Sequence, residues 1–273
     1  MTTSGASREA LIAARERLDA LVDSTSVDVT KLASELAAVT ALLDREGSLR
    51  RVLTDPAQDG QAKADLVARI LRGQVGDETI DLLGGLVRSR WSRPRHLVDT
   101  VEELAATAEL IGAERDGTLD DVEDELFRFG RILESSSELM LALGDRAASP
   151  AAKAELVRSL LRGRAKPVTE RLITRLVSHP RGRSLVSGLE SLSRLAAARR
   201  GRTVAVVTSA IPLSDGQKSR LGAALAKLLG RPVHLNLEVD PAVLGGVRVR
   251  VGDEIIDGSV AGRLDEAARR LAG

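Results

Sequence analysis

The spacing of apolar residues changes once along the chain, near residue 202. Before that point they recur every three or four positions, as Ala14, Leu18 and Val22 do close to the N-terminus, which is the spacing of amphipathic helices. After it, residues 233–239 and 247–251 alternate apolar and polar side chains, which predicts strands with one buried face. The pattern therefore predicts a mainly α protein that ends in a small α+β domain.

The helical part contains an internal repeat. The segment 63–73, KADLVARILRG, recurs at 153–163 as KAELVRSLLRG, an offset of 90 residues. The same offset continues without a gap from about residue 34 to residue 88 and mostly pairs Leu, Val and Ile. Each segment ends in a glycine, which is typical of the residue just past a helix end. Two copies of so long a unit predict two related helical bundles rather than a solenoid.

Three domains follow from these patterns: a helical bundle over 1–117, a second bundle over 118–202 and the α+β domain over 203–273. Only the first bundle has its own opening helix, which is predicted at 7–22. The helix predicted at 97–113 lies directly before the second bundle. We expect this helix to close the first bundle and also to supply the missing packing partner of the second.

The α+β domain is predicted to contain two further strands, at 204–207 and 254–256. Gly252-Asp253 suits a tight hairpin turn before the last strand. Ser214 and Gln217 have the spacing of a capping box at the start of a helix, and a last amphipathic helix ends the chain. We expect the helices to cover one face of the sheet. The other face carries polar side chains: His234, Asn236, Arg248 and Arg250.

The composition excludes several kinds of chemistry. The 273 residues include no Cys and only three aromatic residues, so the core must be aliphatic and neither disulfides nor zinc–thiolate sites can form. Three scattered His suggest no metal cluster, and no phosphate-binding loop or nucleophile elbow is present. The acidic residues at 120–125 are interpreted as favourable charges at a helix start. We expect no catalytic, cofactor-binding or metal-binding residues.

Two other features are interpreted as belonging to the surface. Lys63 and Lys153 occupy equivalent positions of the repeat and are expected to lie on the surfaces of their helices. Trp91 has arginines at positions 88, 90, 93 and 95. This cluster is the most distinctive isolated candidate for an exposed partner contact.

The net charge of +1 hides an uneven distribution. Counted along the chain, residues 1–118 carry 15 basic and 20 acidic groups, 119–145 carry 2 and 8, 146–202 carry 14 and 3, and 203–273 carry 9 and 8. The strongly basic stretch 146–202 is consistent with a helical nucleic-acid-binding adaptor. An arginine-rich, solvated helix surface is the simpler interpretation, because no recognition motif or stacking aromatic accompanies the charge.

The sequence from His234 to Val260, HLNLEVDPAVLGGVRVRVGDEIIDGSV, is followed by Gly262, Arg263 and Leu264. This stretch resembles the signature of the delta subunit of F-type ATP synthases, a family similar to the mitochondrial oligomycin-sensitivity-conferring protein. The signature positions are Gly245, Gly246, Asp257 and Gly258. The resemblance covers the whole chain, and the doubled helical part resembles the long form of the family associated with actinobacteria.

The resemblance implies a non-catalytic subunit of the peripheral stalk, or stator. Such a subunit links the catalytic head to the membrane-anchored b subunit and resists rotor torque, so that proton flow is coupled to ATP synthesis. The implied partners are the N-terminal helices of the α subunits and the b subunit. The duplication leaves two choices for the bundle that binds α: the second adjoins the C-terminal domain, and the first keeps the opening helix.

Candidate contact residues follow from these implied partners. The α-subunit candidates are Leu11, Leu18 and Val22, on the apolar stripe of the opening helix. The b-subunit candidates are Asn236, Arg248 and Arg250, on the polar face of the sheet. No apolar run approaches the length of a membrane-spanning helix. We therefore expect a peripheral protein on the cytoplasmic side of the cell membrane, held there only through the complex.

Overall fold

The computed structural model describes residues 5–257, except 25–26, 146, 202, 230–232, 242, 244–245 and 252–253. Twelve helices and four strands lie in these residues, which confirms the mainly α architecture. The chain divides into two compact units, Met1–Ala197 and Ala198–Gly273. The predicted turn at 252–253 and the predicted last helix lie outside the described residues.

Eleven helices precede the first strand. Six lie before residue 118: α1 (Gly5–Ser24), α2 (Val29–Arg45), α3 (Gly47–Thr54), α4 (Gly60–Leu71), α5 (Asp77–Arg88) and α6 (Pro94–Arg115). Five follow: α7 (Leu119–Ser135), α8 (Ser137–Gly144), α9 (Pro150–Leu161), α10 (Pro167–Ser178) and α11 (Leu185–Arg200). The matched helices α4 and α9 are each followed by a glycine with positive φ, Gly73 at 75° and Gly163 at 68°, as the C-cap prediction requires.

The helical unit has two hydrophobic cores. The first is formed by α1 to α6, and its fully buried side chains include Leu18, Leu36 and Leu82. The second is formed by α7 to α11 together with part of α6, and it includes Leu126, Leu133 and Ile173. Each core consists almost entirely of aliphatic side chains, as the composition predicts. We use "first bundle" and "second bundle" for the helices around these two cores.

Helix α6 contributes to both cores. Leu97, Val101 and Leu104 pack into the first core, whereas Leu110 and Ala113 pack into the second. Burial on more than one side explains why twelve residues of this helix are buried. The predicted double role of residues 97–113 is therefore confirmed.

The repeat preserves a specific contact as well as apolar positions. In the first bundle the Glu35 carboxylate accepts hydrogen bonds from the Gly76 N–H (3.0 Å) and the Thr79 hydroxyl (2.5 Å). Ninety residues later, the Glu125 carboxylate accepts the same pair of bonds from the Lys166 N–H (2.9 Å) and the Thr169 hydroxyl (2.5 Å). Glu125 thus caps the start of a neighbouring helix, α10. The interpretation of Glu125 as a charge serving the start of its own helix is wrong.

The prediction of a helix-surface position for two lysines is also wrong, and that for the Trp91 cluster is wrong in part. Lys63 and Lys153 are buried in their helices, and the Lys63 ammonium donates to the Asp55 carbonyl oxygen at 3.3 Å. In the predicted surface cluster the arginines at 88, 90, 93 and 95 are exposed, but Trp91 itself is buried in the first core. Its indole N–H donates to the Leu86 carbonyl oxygen at 2.9 Å. For Lys63 and Trp91 the polar end finds a backbone acceptor, so the apolar part can be buried at little cost.

The C-terminal unit is a four-stranded sheet with strand order β2-β1-β3-β4. The strands are β1 (Thr203–Ser209), β2 (Val233–Val239), β3 (Val247–Val251) and β4 (Glu254–Asp257), and α12 (Asp215–Leu229) connects β1 to β2. The pair β1–β2 is parallel and the other two pairs are antiparallel. Leu225 of α12 packs on Ala205, Val207 and Val249 of the sheet.

The predicted capping box at the start of α12 is confirmed. The Gln217 side chain accepts hydrogen bonds from the Ser214 N–H (2.8 Å) and from the Ser214 hydroxyl (2.9 Å), and the Gln217 N–H donates back to that hydroxyl at 3.4 Å. Each side chain thus satisfies a backbone group that the first helical turn leaves unpaired.

Candidate functional site

The predicted α-subunit contact lies on α1. Leu18 and Val22 are 0% and 5% exposed and belong to the first core, so they hold α1 in place. Leu11 is half-buried, and its neighbour Ile12 is 49% exposed. Of the three residues predicted from sequence, only Leu11 reaches the surface.

Two ion pairs fix the orientation of α1. Arg15 pairs with Glu103 of α6, with a 2.7 Å hydrogen bond from its Nε. Arg17 donates to both carboxylate oxygens of Asp81 in α5 at 2.9 Å. The outer edge of α1 is therefore a defined surface rather than a loosely attached helix.

A groove lined only by aliphatic side chains lies among the helices of the first bundle, and no residue of α1 lines it. Ile70, at its edge, is 42% exposed. The lining residues come from α2 to α6: Val39, Leu42, Leu43, Leu49, Leu53, Val67, Ile70, Leu71, Leu83, Val87 and Leu97. The sequence pattern does not reveal this groove, because each lining residue is an apolar position that would be assigned to the core of its helix in any case.

The repeat places apolar residues at the equivalent positions of the second bundle. Ten of the eleven lining positions, shifted by 90 residues, hold Phe, Ile, Leu or Val. Two of them, Ile132 and Leu160, are 53% and 37% exposed. Each bundle therefore exposes one or two aliphatic side chains beside its core at these positions.

The predicted b-subunit contact lies on the sheet of the C-terminal unit. Arg248 and Arg250 are exposed on β3, and Val249 between them is buried. Asn236 of β2 and Arg250 of β3 pair with the same residue of β1, Val206, from opposite sides. These two candidates therefore occupy one row across the sheet. Both arginines are exposed, as the alternating pattern of this strand predicts.

Two of the four signature residues lie beside this surface. Gly246 directly precedes β3 and has φ of 80°, a left-handed conformation that a side chain disfavours. Asp257 is the last residue of β4, in register with Arg248. Gly245 and Gly258 lie outside the described residues.

A buried carboxylate joins α6 to the second bundle. Glu109 is 1% exposed, and its Oε2 accepts hydrogen bonds from Arg171 Nε and Nη2 at 2.9 and 2.7 Å. Its Oε1 lies 2.8 Å from Arg175 Nη1 in an ion pair without hydrogen-bond geometry. The pairing with two arginines is what permits a carboxylate at this depth.

Two features are absent from the described residues, a metal-binding cluster and a membrane-spanning helix. No group of three or more His, Cys, Asp or Glu side chains is placed there to hold a metal ion. Likewise, none of the helices in residues 5–257, gaps aside, is long and apolar enough to cross a membrane.

Comparison with known proteins shows the family. The family model described as "ATP synthase delta (OSCP) subunit" matches residues 105–271, a region that begins within α6. "ATP synthase subunit delta" of Streptomyces griseus is 72% identical over 99% of this chain and 100% of its own length. The protein of the same name from Thermobifida fusca is 46% identical over 98% and 99%.

A solved chain is also similar. It belongs to the structure titled "Cryo-EM structure of Toxoplasma gondii mitochondrial ATP synthase hexamer, composite model", is 27% identical, and covers 62% of this chain and 95% of its own, with a TM-score of 0.28. The TM-score is too low for the two backbones to be compared. From the family model and the full-length relatives, the chain belongs to the ATP synthase delta (OSCP) subunit family.

Proposed function

We propose that this chain, a non-catalytic peripheral-stalk subunit of an F-type ATP synthase, binds α-subunit N-terminal helices with its first bundle and the b subunit with its C-terminal sheet. The observation that carries the proposal is the difference in chemistry between two exposed surfaces, one on each unit. The edge of α1 carries the exposed Ile12 beside the half-buried Leu11, whereas β3 exposes Arg248 and Arg250. A connector with two dissimilar binding surfaces can hold two different partners at once and resist torque between them.

The first bundle is favoured for α because of its opening helix. Helix α1 packs into one core and keeps an outer edge with Leu11 and Ile12. The helix that precedes the second bundle, α6, packs into both cores and has less free surface to offer. An aliphatic helix edge beside a fixed neighbour is the kind of surface that receives an amphipathic helix.

Binding of an α N-terminal peptide tests this contact. Ile12→Asp should weaken binding at least about tenfold, because a carboxylate would have to be desolvated against the peptide's apolar face. Leu18→Asp is unsuitable because Leu18 is fully buried and the variant would unfold. The matched control is Ile70→Asp in the aliphatic groove, at similar exposure. Loss of binding in the control and not in Ile12→Asp would refute the α1 contact.

The sheet face is proposed to meet the b subunit through Arg248, Arg250 and the row that contains Asn236. Exposed charges at an interface rim act mainly on association rate. The double variant Arg248→Glu/Arg250→Glu should therefore slow association with a soluble b segment, and this effect should shrink at high salt. Arg220→Glu on α12 changes charge elsewhere on the same unit and is the control. Equal association rates for the double variant and the unmodified protein would remove this proposal.

The location of the chain follows from its partners. As a subunit of a membrane-associated complex, it is proposed to lie on the cytoplasmic side of the cell membrane, held by the b subunit. Washing membranes under conditions that dissociate the complex should release it without detergent. Retention by membranes that lack the other subunits would contradict the proposal.

A further inference from the structure

The loop between α10 and α11 reaches from the second bundle to the first. Its Arg181 guanidinium is only 3% exposed and forms ion pairs with three carboxylates: Asp44 at 3.3 Å, Asp99 at 2.6 Å and Glu102 at 2.6 Å. Asp44 is in α2, and the other two lie in the first half of α6, which packs into the first core. One side chain of the second bundle thus binds two helices of the first.

Neighbouring groups strengthen this connection. Arg183 of the same loop pairs with the other Glu102 oxygen. Arg95, at the start of α6, donates to the Arg181 carbonyl oxygen at 2.6 Å. The loop is therefore held through both its side chains and its backbone.

The backbone of the loop is strained in order to make these contacts. Arg181 has φ of 53°, the only positive φ at a non-glycine position among the described residues. The left-handed conformation costs a residue with a side chain about 1–2 kcal/mol, and it persists only where the surroundings fix it. The ion pairs supply that constraint.

The corresponding loop of the first bundle has a different role. The third residue after α5 is Trp91, which is buried in its own bundle. The third residue after α10 is Arg181, which crosses to the other bundle. The repeat thus places an internal core residue in one copy and an inter-bundle contact in the other.

The Arg181 guanidinium remains positively charged in the folded protein. Burial alone would lower the pKa of its guanidinium, but the nearby charges of Glu102 and Asp99 and hydrogen bonds to Asp99 and Asp44 raise that pKa overall. The group is therefore a permanent cation, and its contacts weaken only if the carboxylates are removed or protonated.

We propose that residues 179–184 form a clasp that makes the two helical bundles one rigid body. The bundles share α6, and a single shared helix is a joint about which two packed bodies can rock. The clasp connects them at a second place and so restricts that motion. Without the clasp, a lateral force on the subunit would bend it at α6. The proposal does not depend on which partner each bundle binds.

The absence of Cys from the chain makes a distance measurement direct. Ala62→Cys in α4 and Ala152→Cys in α9 are exposed, equivalent positions of the two bundles, and paired spin labels there report the inter-bundle distance. Arg181→Gln in this background should broaden the distance distribution towards longer distances. The matched control is Arg194→Gln, which removes the same charge from an exposed ion pair within α11 and should leave the distribution unchanged.

A second variant removes the carboxylates of the clasp instead of the guanidinium. Asp99→Asn/Glu102→Gln leaves Arg181 in place and should produce the same broadening, with helical content by circular dichroism unchanged. An unchanged distribution in both folded variants would overturn the proposal. Loss of helical content in both would overturn it too, because the clasp would then be required for folding rather than for restricting a joint.

Discussion

Removal of the Glu125 carboxylate should destabilise the second bundle and leave the first largely intact. Glu125→Ala strands two hydrogen-bond donors at the start of α10, the Lys166 N–H and the Thr169 hydroxyl. Thr169 is fully buried, so water cannot easily replace the lost acceptor. Glu35→Ala removes the equivalent acceptor from Gly76 and Thr79 in the first bundle and should have the converse effect.

The size of the effect follows from the burial of each donor. A stranded buried donor costs about 1–3 kcal/mol, and the Lys166 N–H, which is only partly buried, lies at the low end of that range. Together the two losses give about 2–4 kcal/mol for Glu125→Ala. Glu125→Gln keeps an acceptor oxygen and loses only the charge, so it should cost about 1 kcal/mol.

Hydrogen exchange of the intact protein is the suitable assay, since it reports each bundle separately. A chain with two cores need not unfold in one step, so a single melting temperature would mix the two effects. Peptides from α7 and α10 should lose protection in Glu125→Ala, and those from α2 and α5 in Glu35→Ala. Equal losses for Glu125→Gln and Glu125→Ala would refute the hydrogen-bond reasoning, as would a loss spread evenly over both bundles.

Three further substitutions test the packing, again by hydrogen exchange of the intact protein. Leu110→Ala should lower the free energy of unfolding of the second bundle by about 2–5 kcal/mol. Leu104→Ala should lower the stability of the first bundle instead. The reverse pattern would contradict the shared role of α6. Glu109→Ala leaves two partly exposed arginines unpaired and should cost the second bundle about 2–3 kcal/mol, below the value for a fully buried pair; no change would mean that the pair is fully offset by desolvation. Gly188→Ala places a methyl group against Leu176 and should cost about 1–2 kcal/mol; a stabilised variant would show that α10 and α11 are not tightly packed.

Regular periodicity was sufficient to predict much of the fold. Strict alternation predicted the strands at 233–239 and 247–251, because one face of the sheet is buried and the other is not. The repeat and the position of residues 97–113 predicted the double role of α6. The short helices α3 and α8, with eight residues each, were not predicted, because about two turns are too few to show a helical period.

Two of the contacts that the sequence did not predict join distant parts of the chain. Glu125 binds a hydroxyl 44 residues away, and Arg181 binds a carboxylate 137 residues away. No local pattern distinguishes such residues from solvated charges. The repeat does contain a signal for the Glu125 contact, since Glu35 and Thr79 of the first copy recur as Glu125 and Thr169 at the offset of 90 residues. For Arg181 the signal is absent, because its equivalent position is Trp91.

The uneven charge of the two bundles is partly explained by contacts within the chain. The basic segment 146–202 provides Arg181 and Arg183 to carboxylates of the first bundle, and Arg171 and Arg175 to Glu109 of α6. An acidic first copy and a basic second copy are therefore complementary to each other. This use of the arginines weakens the case for nucleic acid as their partner.

The sharing of α6 makes the duplication difficult to reverse. A deletion that removes the first bundle but keeps α6 would expose Leu97, Val101 and Leu104 to water. A deletion that also removes α6 would take Leu110 and Ala113 out of the second core. The first copy therefore cannot be lost cleanly in a single step, so a chain that has acquired this arrangement is expected to keep it over long evolutionary times.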